Sequence, residues 1–431
     1  MAKSSPMTLR NHVIYSVYVR NHCGVGTFNA LLDDLPRIKD LGVDIIWLMP
    51  IHPIGVKNKK GSLGCPYAIQ NYREINSEYG DLTSFKKLVE SIHHLGMKCM
   101  IDVVFHHTSP DSDLYHKHPE FFYMKNGRVG NKVGDWYDII DLDFSNIQLW
   151  HELIDTLKYW VSLGVDGFRC DVASLVPIDF WLMAREEVAK IKEDVLWLSE
   201  TVEPHFVSDV RREGYYAASD SESYQAFDIT YDYDGFLYFK NYLEGRNTLE
   251  DYLEKIRQQE YIYPNNYAKL RFIENHDQSR IKTLIPNGDL LKIWTAFMYF
   301  QKGPVLLYAG QEAQEIHRPS LFDLDPISWD NLNDDFVDYL KNLYKIKQKT
   351  IFANGYYHIH RIDKKGVIYA TYEINNKILA GIFNVENKAG TIKVELPDGN
   401  YTNLVDGSPI MIEKGEIVLK NSAIILEIVS A

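Results

Sequence analysis

Charged and imidazole side chains recur where short apolar runs of this 431-residue sequence end. Each alone has a structural explanation, since an Asp after a strand is often a helix cap and a single His is often a packed residue. A group of them at one rim would be costly to bury without a task, because unpaired charges are expensive out of water. The residues at these positions are Asp102, His106, His107, Arg169, Asp171, Glu200, Glu274, His276 and Asp277.

Two of these carboxylates suit the hydrolysis of a glycosidic bond. That reaction needs one carboxyl group to protonate the leaving oxygen and a second to attack the anomeric carbon or to activate water. Arg169 stands two residues before Asp171 and is expected to keep that carboxylate ionised at neutral pH, as a nucleophile requires. Glu200 follows the apolar run "VLWLS", so partial burial is expected to raise its pKa toward that of a general acid.

The elements that must position these residues alternate along the first two-thirds of the chain. Short apolar runs are followed by stretches with apolar residues at helical spacing, such as Phe28, Leu31, Leu35 and Ile38. Eight strands in such alternation predict an α/β protein, a closed (β/α)₈ TIM barrel whose mouth collects the residues at the strand ends. The predicted strands are 13–19, 43–50, 98–105, 165–170, 195–200, 226–231, 270–275 and 304–309.

Two regions depart from the alternation. Residues 106–143 are polar, with no clear helix, and are interpreted as a loop-rich insertion after the third strand. From about residue 351 short alternating strands follow one another between turn residues, which predicts a C-terminal all-β sandwich. The predicted organisation is therefore a barrel formed by 1–105 and 144–350, an inserted domain at 106–143 and a β-sandwich at 351–431.

The composition argues against two classes of binding partner. The formal charge of −13 opposes binding to nucleic acid or to an anionic membrane, and no apolar window approaches the length of a membrane span. Four cysteines lie far apart without metal-ligand spacing and are expected to be free thiols. With no recognisable leader these features favour a cytoplasmic location. They leave the oligomeric state open.

Four short motifs appear in a fixed order: "DVVFHH" (102–107), "GFRCD" (167–171), "LSE" (198–200) and "ENHD" (274–277). In this order and context they resemble the motifs of the α-amylase superfamily, glycoside hydrolase family 13, whose members are retaining enzymes acting on α-glucans. The segments "YAIQNY" (67–72), "DLDFSN" (141–146) and "GPVLLYAGQE" (303–312) add to the resemblance, which extends from about residue 13 to the C-terminus.

The resemblance implies roles for seven residues. Asp171 corresponds to the nucleophile that forms a covalent glycosyl intermediate, Glu200 to the general acid/base, and Asp277 to a third carboxylate that holds sugar hydroxyls. Three more are implied to surround the same sugar: Tyr67 by stacking, and His107 and His276 by hydrogen bonds. Arg169 is implied to orient the nucleophile.

The sequence departs from the family at a calcium site. Many relatives have Asn before the first motif's His, where it helps to bind a structural Ca²⁺, but this chain has His106, a poor ligand for an oxygen-seeking cation. Ser174 and Leu175 stand where calcium-dependent α-amylases commonly have Lys and His. We therefore expect no calcium at the usual site between the barrel and the insertion, and no other metal or cofactor.

Within this resemblance the favoured activity is hydrolysis of α-1,4 bonds in malto-oligosaccharides. Val172, directly after Asp171, occurs in relatives that cleave α-1,6 bonds and in relatives that cleave α-1,4 bonds, so the linkage stays open. A glucanotransferase would share the same intermediate and differ only in the acceptor. A non-catalytic sugar-binding relative is the remaining alternative, against which stand Asp171, Glu200 and Asp277.

Overall fold

The computed structural model of the chain describes residues 5–134 and 136–429. Eight parallel strands form one sheet in which consecutive strands are neighbours and the first pairs with the last. The strands are β1 (Val13–Val17), β2 (Ile45–Leu48), β3 (Lys98–Val103), β4 (Gly167–Cys170), β5 (Leu196–Ser199), β6 (Ile229–Tyr231), β7 (Lys269–Leu270) and β8 (Val305–Tyr308).

The barrel closes between β7 and β8 just beyond the end of β7. The Arg271 amide donates to the carbonyl oxygen of Pro304 at 2.8 Å, and the Leu306 amide donates to that of Arg271 at 2.8 Å. Gly303 permits this approach, because a Cβ at its position would lie 1.9 Å from the carbonyl oxygen of Lys269. The predicted eight-stranded barrel is confirmed, and it brings the carboxyl ends of all eight strands to one mouth.

Helices cover the outside of the barrel, and the helical stripes read from the sequence face inward. Phe28, Leu31, Leu35 and Ile38 are all buried on one face of the first long helix, which Thr27 caps by accepting a hydrogen bond from the Ala30 amide. The helices of eight or more residues are α1 (Phe28–Asp40), α2 (Leu82–His94), α3 (Ile147–Ser162), α4 (Ile178–Ala189), α5 (Pro204–Arg212), α6 (Tyr233–Leu243), α7 (Leu249–Ile262), α8 (Gly288–Phe300) and α9 (Asp334–Lys347).

The segment after β3 contains little regular structure, but the expectation that it lacks a helix is wrong at one point. A five-residue helix spans Asp113–Lys117. Ser112 begins it, since its side chain accepts a hydrogen bond from the Tyr115 amide at 3.2 Å, which is the usual role of Ser at a helix N-cap. The strands of this segment are two-residue pairs: 107–108 with 140–141, and 124–125 with 128–129.

The C-terminal part is all-β, as the alternating pattern predicted. The strands are β9 (Tyr356–Ile359), β10 (Ile368–Ile374), β11 (Lys377–Phe383), β12 (Thr391–Lys393), β13 (Gly399–Thr402), β14 (Pro409–Glu413), β15 (Glu416–Val418) and β16 (Ile424–Val429). One sheet has the order β9-β10-β11-β16 and the other β12-β15-β14-β13. The first of these sheets packs on the barrel through aromatic rings, with the Phe383 ring 5.2 Å from Phe297 and 5.4 Å from Phe300 between centroids.

Two further expectations can be compared with the structure. All four cysteines are free thiols, as predicted from their spacing. Among the described residues, every helix is too short or too polar to cross a lipid bilayer.

Candidate active site

Arg169 is the centre of the residues that meet at the barrel mouth. It lies on β4, is fully buried, and contacts three carboxylates that come from three neighbouring strands. Its Nη1 lies 2.7 Å from Oδ1 of Asp171 and 2.9 Å from Oδ1 of Asp102, and its Nη2 lies 2.6 Å from Oε1 of Glu200. One guanidinium therefore holds Asp171 and Glu200 close together.

The strand register explains this convergence. Asp102 on β3 is the direct partner of Arg169 on β4, so the two side chains share one face of the sheet. Asp171 and Glu200 are the first residues beyond β4 and β5, and the Glu200 amide still donates to the carbonyl oxygen of Cys170 at 3.0 Å. The sequence motifs contained Asp102, but its ion pair with Arg169 could be recognised only from the register of β3 and β4.

Three aromatic rings surround the guanidinium of Arg169. The Arg169 Cζ lies 5.2 Å from the ring centroid of Trp47, 5.5 Å from that of Tyr231 and 5.7 Å from that of Tyr67. A cation within about 6 Å of an aromatic centroid is attracted by the ring. Packing and charge thus fix the orientation of Arg169, and through it the two carboxylates.

Glu200 is held by a second contact from an unusual backbone conformation. Val172 has a φ of 36° and a ψ of 41°, in the left-handed region that β-branched residues rarely adopt. In this conformation its amide donates a 2.7 Å hydrogen bond to Oε2 of Glu200. The residue next to Asp171 therefore also positions the neighbouring carboxyl group.

Tyr67, His276 and Asp277 form the opposite side of the constellation. The Tyr67 hydroxyl lies 2.9 Å from Nε2 of His276 and donates to Oδ2 of Asp102 at 3.1 Å. The two rings stack with centroids 5.6 Å apart and planes at 15°. Asp277 has Oδ2 3.1 Å from the same His276 nitrogen, yet 42% of its side chain is exposed toward the mouth. Asp277 is thus the most accessible of these carboxylates.

The two histidines are neutral donors and acceptors. Burial lowers the pKa of His107 to about 3 and the pKa of His276 to about 4. His107 is 6% exposed, and its Nδ1 lies 3.1 Å from Nδ1 of His106. Nδ1 of His276 is buried and has no hydrogen-bond partner in the protein.

Electrostatics correct one expectation from the sequence. Burial raises the pKa of Asp171, and its contact with Arg169 lowers it only in part, so the ion pair does not hold this carboxyl in the ordinary Asp range. Burial likewise raises the pKa of Asp102 and, as expected, that of Glu200, the latter to about 8. One guanidinium cannot neutralise three buried carboxylates, so the cluster retains a proton near neutral pH.

Glu274 does not join the constellation. It is buried, and Oε1 lies 2.7 Å from Nη1 of Arg280 while Oε2 accepts from the Ile281 amide at 2.6 Å. These contacts fix the chain that follows β7. Of the motif "ENHD", only His276 and Asp277 face the cavity.

A cavity of about 300 Å³ contains the constellation. Small-molecule sites are commonly concave and largely preformed, with a few convergent polar groups. Of the seven residues to which the family resemblance gave roles, six line it, and Arg169 lies beneath them. Val172 also lines it, and the other lining residues, which were not identified from the sequence, come from three separate loops: Lys60, Cys65, Trp136, Asp138, Ile139, Leu321 and Phe322.

The surroundings of His106 bear on metal binding. Its Nδ1 lies 3.8 Å from Oδ1 of Asp141, and burial holds its pKa well below the ordinary range, so the ring is neutral. Lys132 occupies the same region: its amide donates to Oδ2 of Asp141 at 2.7 Å, and its ammonium donates to the carbonyl oxygen of Leu142 at 2.8 Å. An imidazole and an ammonium group beside one carboxylate are a poor set of ligands for Ca²⁺.

A (β/α)₈ barrel with paired carboxylates on one buried guanidinium at its mouth is the architecture of a glycoside hydrolase. The alpha amylase catalytic domain family matches residues 15–140 and 134–348, and the bacterial alpha amylase C-terminal domain family matches residues 358–426. The chain therefore belongs to the α-amylase family, and the resemblance read from its motifs is confirmed.

Individual relatives agree with this assignment. The crystal structure of an alpha-amylase from Lactobacillus plantarum is 43% identical, with a TM-score of 0.95 over 98% of this chain and 100% of that one. The alpha-amylase MalA of Haloarcula japonica is 26% identical over 79% of this chain and 49% of its own length. The alpha-1,4-glucan:maltose-1-phosphate maltosyltransferase of Picrophilus torridus is 25% identical over 89% and 62%. The chain thus spans about half the length of these two curated relatives.

Proposed function

We propose that this chain is a retaining glycoside hydrolase that cleaves α-glucosidic bonds, in the first place α-1,4 bonds, in malto-oligosaccharides. The observation that carries the proposal is the contact of Asp171 and Glu200 with the two terminal nitrogens of Arg169. Retaining enzymes need their two carboxyl groups closer together than inverting enzymes, which must leave room for a water molecule. A single guanidinium that bridges both groups favours the short separation.

In the first step the Asp171 carboxylate attacks the anomeric carbon and the bond to the leaving oxygen breaks. Glu200 gives its proton to that oxygen, so the shortened glucan leaves as an alcohol. In the second step Glu200 takes a proton from water, the water oxygen bonds to the anomeric carbon, and Asp171 is released as a carboxylate. At the end Glu200 holds a proton from water and Asp171 is again a carboxylate, so both groups are restored, as a retaining double displacement requires.

The remaining residues hold the sugar between these two groups. Asp277, His107 and His276 present an exposed carboxylate and two neutral rings to the cavity and would bind hydroxyl groups. Tyr67 would lie against the sugar face, since aromatic rings suit surfaces that are apolar with a polar edge. Arg169 orients Asp171 and Glu200 and does not line the cavity itself.

We propose that the protein works without calcium between the barrel and the insertion. The support is the Lys132 ammonium, which already satisfies the carbonyl oxygen of Leu142, together with the neutral ring of His106. We also propose a cytoplasmic location, which four unpaired thiols would suit because that compartment keeps thiols reduced. Fractionation of the source cells would test the location.

A product profile tests the activity. Purified protein in EDTA would be given maltotriose, isomaltotriose, pullulan and sucrose separately, and the products would be followed by chromatography. Glucose or maltose from maltotriose, with isomaltotriose intact, is the expected result. Faster cleavage of isomaltotriose would assign the protein to the α-1,6 class, and the absence of products would contradict catalysis altogether.

A glucanotransferase is the second candidate, and one feature favours it. Val172, which lines the cavity beside Glu200, packs against an apolar cluster that includes Val133, Leu175, Val202 and Val207. A surface of this kind would favour a second sugar over water as the acceptor. Oligomers longer than the substrate, appearing early in the same assay, would identify the transferase.

A further inference from the structure

Residues from two loops line the side of the cavity opposite Glu200. Glu200 follows β5, and in a closed barrel of eight strands β1 lies across from β5, flanked by β2 and β8. Lys60 lies in the loop after β2, and Leu321 and Phe322 lie in the chain after β8. All three line the cavity. These two loops therefore stand at the end of the cavity farthest from Glu200.

Lys60 joins the two loops to the insertion after β3. Its Nζ lies 2.7 Å from Oδ1 of Asp138, which is only 2% exposed. The same ammonium lies 5.3 Å from the ring centroid of Tyr137 and 5.9 Å from that of Phe322. Without Lys60 the buried Asp138 carboxylate would lose its charge partner, which is costly because the carboxylate has little access to water. We call this set of Lys60, Asp138 and Phe322, with their loops, the end wall.

Backbone and short side chains hold the end wall together. The Leu63 amide donates to the carbonyl oxygen of Phe322 at 2.9 Å. The Ser62 amide and hydroxyl donate to Oδ1 of Asp323 at 2.8 and 2.7 Å. On the other flank the Asn58 side chain donates to the carbonyl oxygen of Tyr137 at 3.2 Å. The wall is thus built from hydrogen-bonded main chain, with the Lys60 ion pair spanning it.

The position of Glu200 sets the direction in which the substrate binds, and the end wall lies on the opposite side. The leaving group must lie on the side of Glu200, which protonates its oxygen. The sugar that is attacked, and every unit on its non-reducing side, must extend the other way, toward the end wall. From this geometry, and resting on the function proposed above, we infer that the end wall closes the donor end of the site. The enzyme then removes a short unit, glucose or maltose, from the non-reducing end of the glucan.

Two matched substrates test this inference. Maltoheptaose carrying a chromophore at its reducing end would be compared with the same molecule blocked by a 4,6-O-ethylidene group at its non-reducing end. Removal of short units predicts labelled products that shorten stepwise from the unblocked substrate, and cleavage of the blocked substrate at least about 100-fold slower. Equal rates on both, with internal fragments from the start, would overturn the inference.

Variants of the end wall test whether it causes the slower cleavage of the blocked substrate. Lys60→Ala removes the ion pair, and Phe322→Ala widens the wall while leaving that ion pair in place. Each is expected to raise the rate on the blocked relative to the unblocked substrate about tenfold, whereas Lys57→Ala, an exposed change in the same loop, leaves the ratio unchanged. If thermal unfolding shows that Lys60→Ala does not fold, Phe322→Ala decides alone. An unchanged ratio in every folded variant would contradict the role of the wall.

Different results would contradict the proposed hydrolysis and the inferred closed donor end. A protein that cleaves neither heptaoside nor an aryl α-glucoside would contradict the proposed hydrolysis. A protein that cleaves all three, with no preference for the unblocked chain, would leave hydrolysis in place and contradict only the closed donor end.

Discussion

The amide of Val172 donates a 2.7 Å hydrogen bond to Oε2 of Glu200 while Val172 itself is in a left-handed conformation. Such a conformation in a non-glycine residue costs on the order of 1–3 kcal/mol and persists only where the surrounding structure imposes it. Here it connects the two strand ends that carry Asp171 and Glu200. The strain is therefore located at the one peptide that links the proposed nucleophile to the proposed acid.

Asp171→Asn should abolish turnover while leaving binding nearly intact. The substitution keeps the size of the side chain but removes the attacking oxygen's charge, so kcat on an aryl α-glucoside should fall by roughly 10⁴-fold or more. Calorimetry with maltotriose would report binding. Asp179→Asn, an exposed change on the following helix, is the control and should keep full activity. Near-normal kcat in Asp171→Asn would show that Asp171 is not the nucleophile.

The pH profile of kcat/KM should be bell-shaped, with both limbs set by buried carboxyl groups. Glu200 must carry a proton, so activity falls as pH rises through its raised pKa of about 8. Asp171 must be ionised, so activity falls as pH drops through its pKa, which burial places above the ordinary Asp range. Glu200→Gln should remove the basic limb, and the exposed change Glu213→Gln should leave it. A basic limb that persists in Glu200→Gln would assign it to another group.

Glu200→Gln should also reveal the second step of the reaction. With a substrate whose leaving group needs no proton, the glycosyl intermediate forms but water attacks it slowly, because no base assists. Added azide needs no such base and should restore turnover, giving a glycosyl azide of the same anomeric configuration as the substrate. Chromatography and nuclear magnetic resonance would identify that product. Azide that changes neither rate nor product would contradict the role of Glu200.

Removal of divalent metal should change neither the activity nor the stability, if the Lys132 ammonium takes the place of a bound metal ion. EDTA and added Ca²⁺ are expected to leave both the activity and Tm unchanged. Lys132→Met should lower stability by about 1 kcal/mol, because the carbonyl oxygen of Leu142 then loses its donor. The measurement is thermal unfolding with and without EDTA. A Tm that rises with Ca²⁺ in the unchanged protein would contradict the prediction.

Lys347→Met should stabilise the protein at neutral pH. Burial and the neighbouring Arg271 and Arg10 hold the pKa of Lys347 well below its ordinary value, although its Nζ donates to the carbonyl oxygen of Gln301 at 2.9 Å. The unfolded chain therefore binds more protons, and stability rises with pH up to the ordinary lysine pKa of about 10.4. The variant should gain about 1 kcal/mol or more at pH 7.

The pH dependence distinguishes the cost of burying the Lys347 ammonium from a change in side-chain packing. Since the cost of Lys347 disappears as the unfolded chain also loses its proton, the difference between variant and wild type should narrow as pH approaches about 10. Urea unfolding at pH 7 and pH 9 would measure it. Lys345→Met, an exposed change on the same helix, should show no such trend. A variant less stable at pH 7 would show that the bond to Gln301 outweighs the cost of burial.

Local sequence patterns predicted the order of the elements and the candidate catalytic residues. Strand and helix periods are local properties, so eight strands and stripes such as Phe28–Ile38 were visible without the fold, although β7 ends at Leu270 and not at residue 275 as predicted. The motifs contained Asp171, Glu200 and Asp277 at strand ends, and parallel strands in a barrel necessarily place such ends together. The small helix Asp113–Lys117 was missed because a single turn leaves almost no periodic signal, although Ser112 has the residue type of a cap.

The sharing of charge around Arg169 and the boundary of the cavity depend on contacts between distant segments of the chain. The partnership of Asp102 with Arg169 follows from the register of two strands, and the raised pKa of Asp171 follows from burial that its neighbours in sequence do not reveal. Lys60, Asp138 and Phe322 belong to three loops far apart in the chain. Their contact depends on loop conformations, because no local pattern specifies which distant side chain a lysine in a loop will contact.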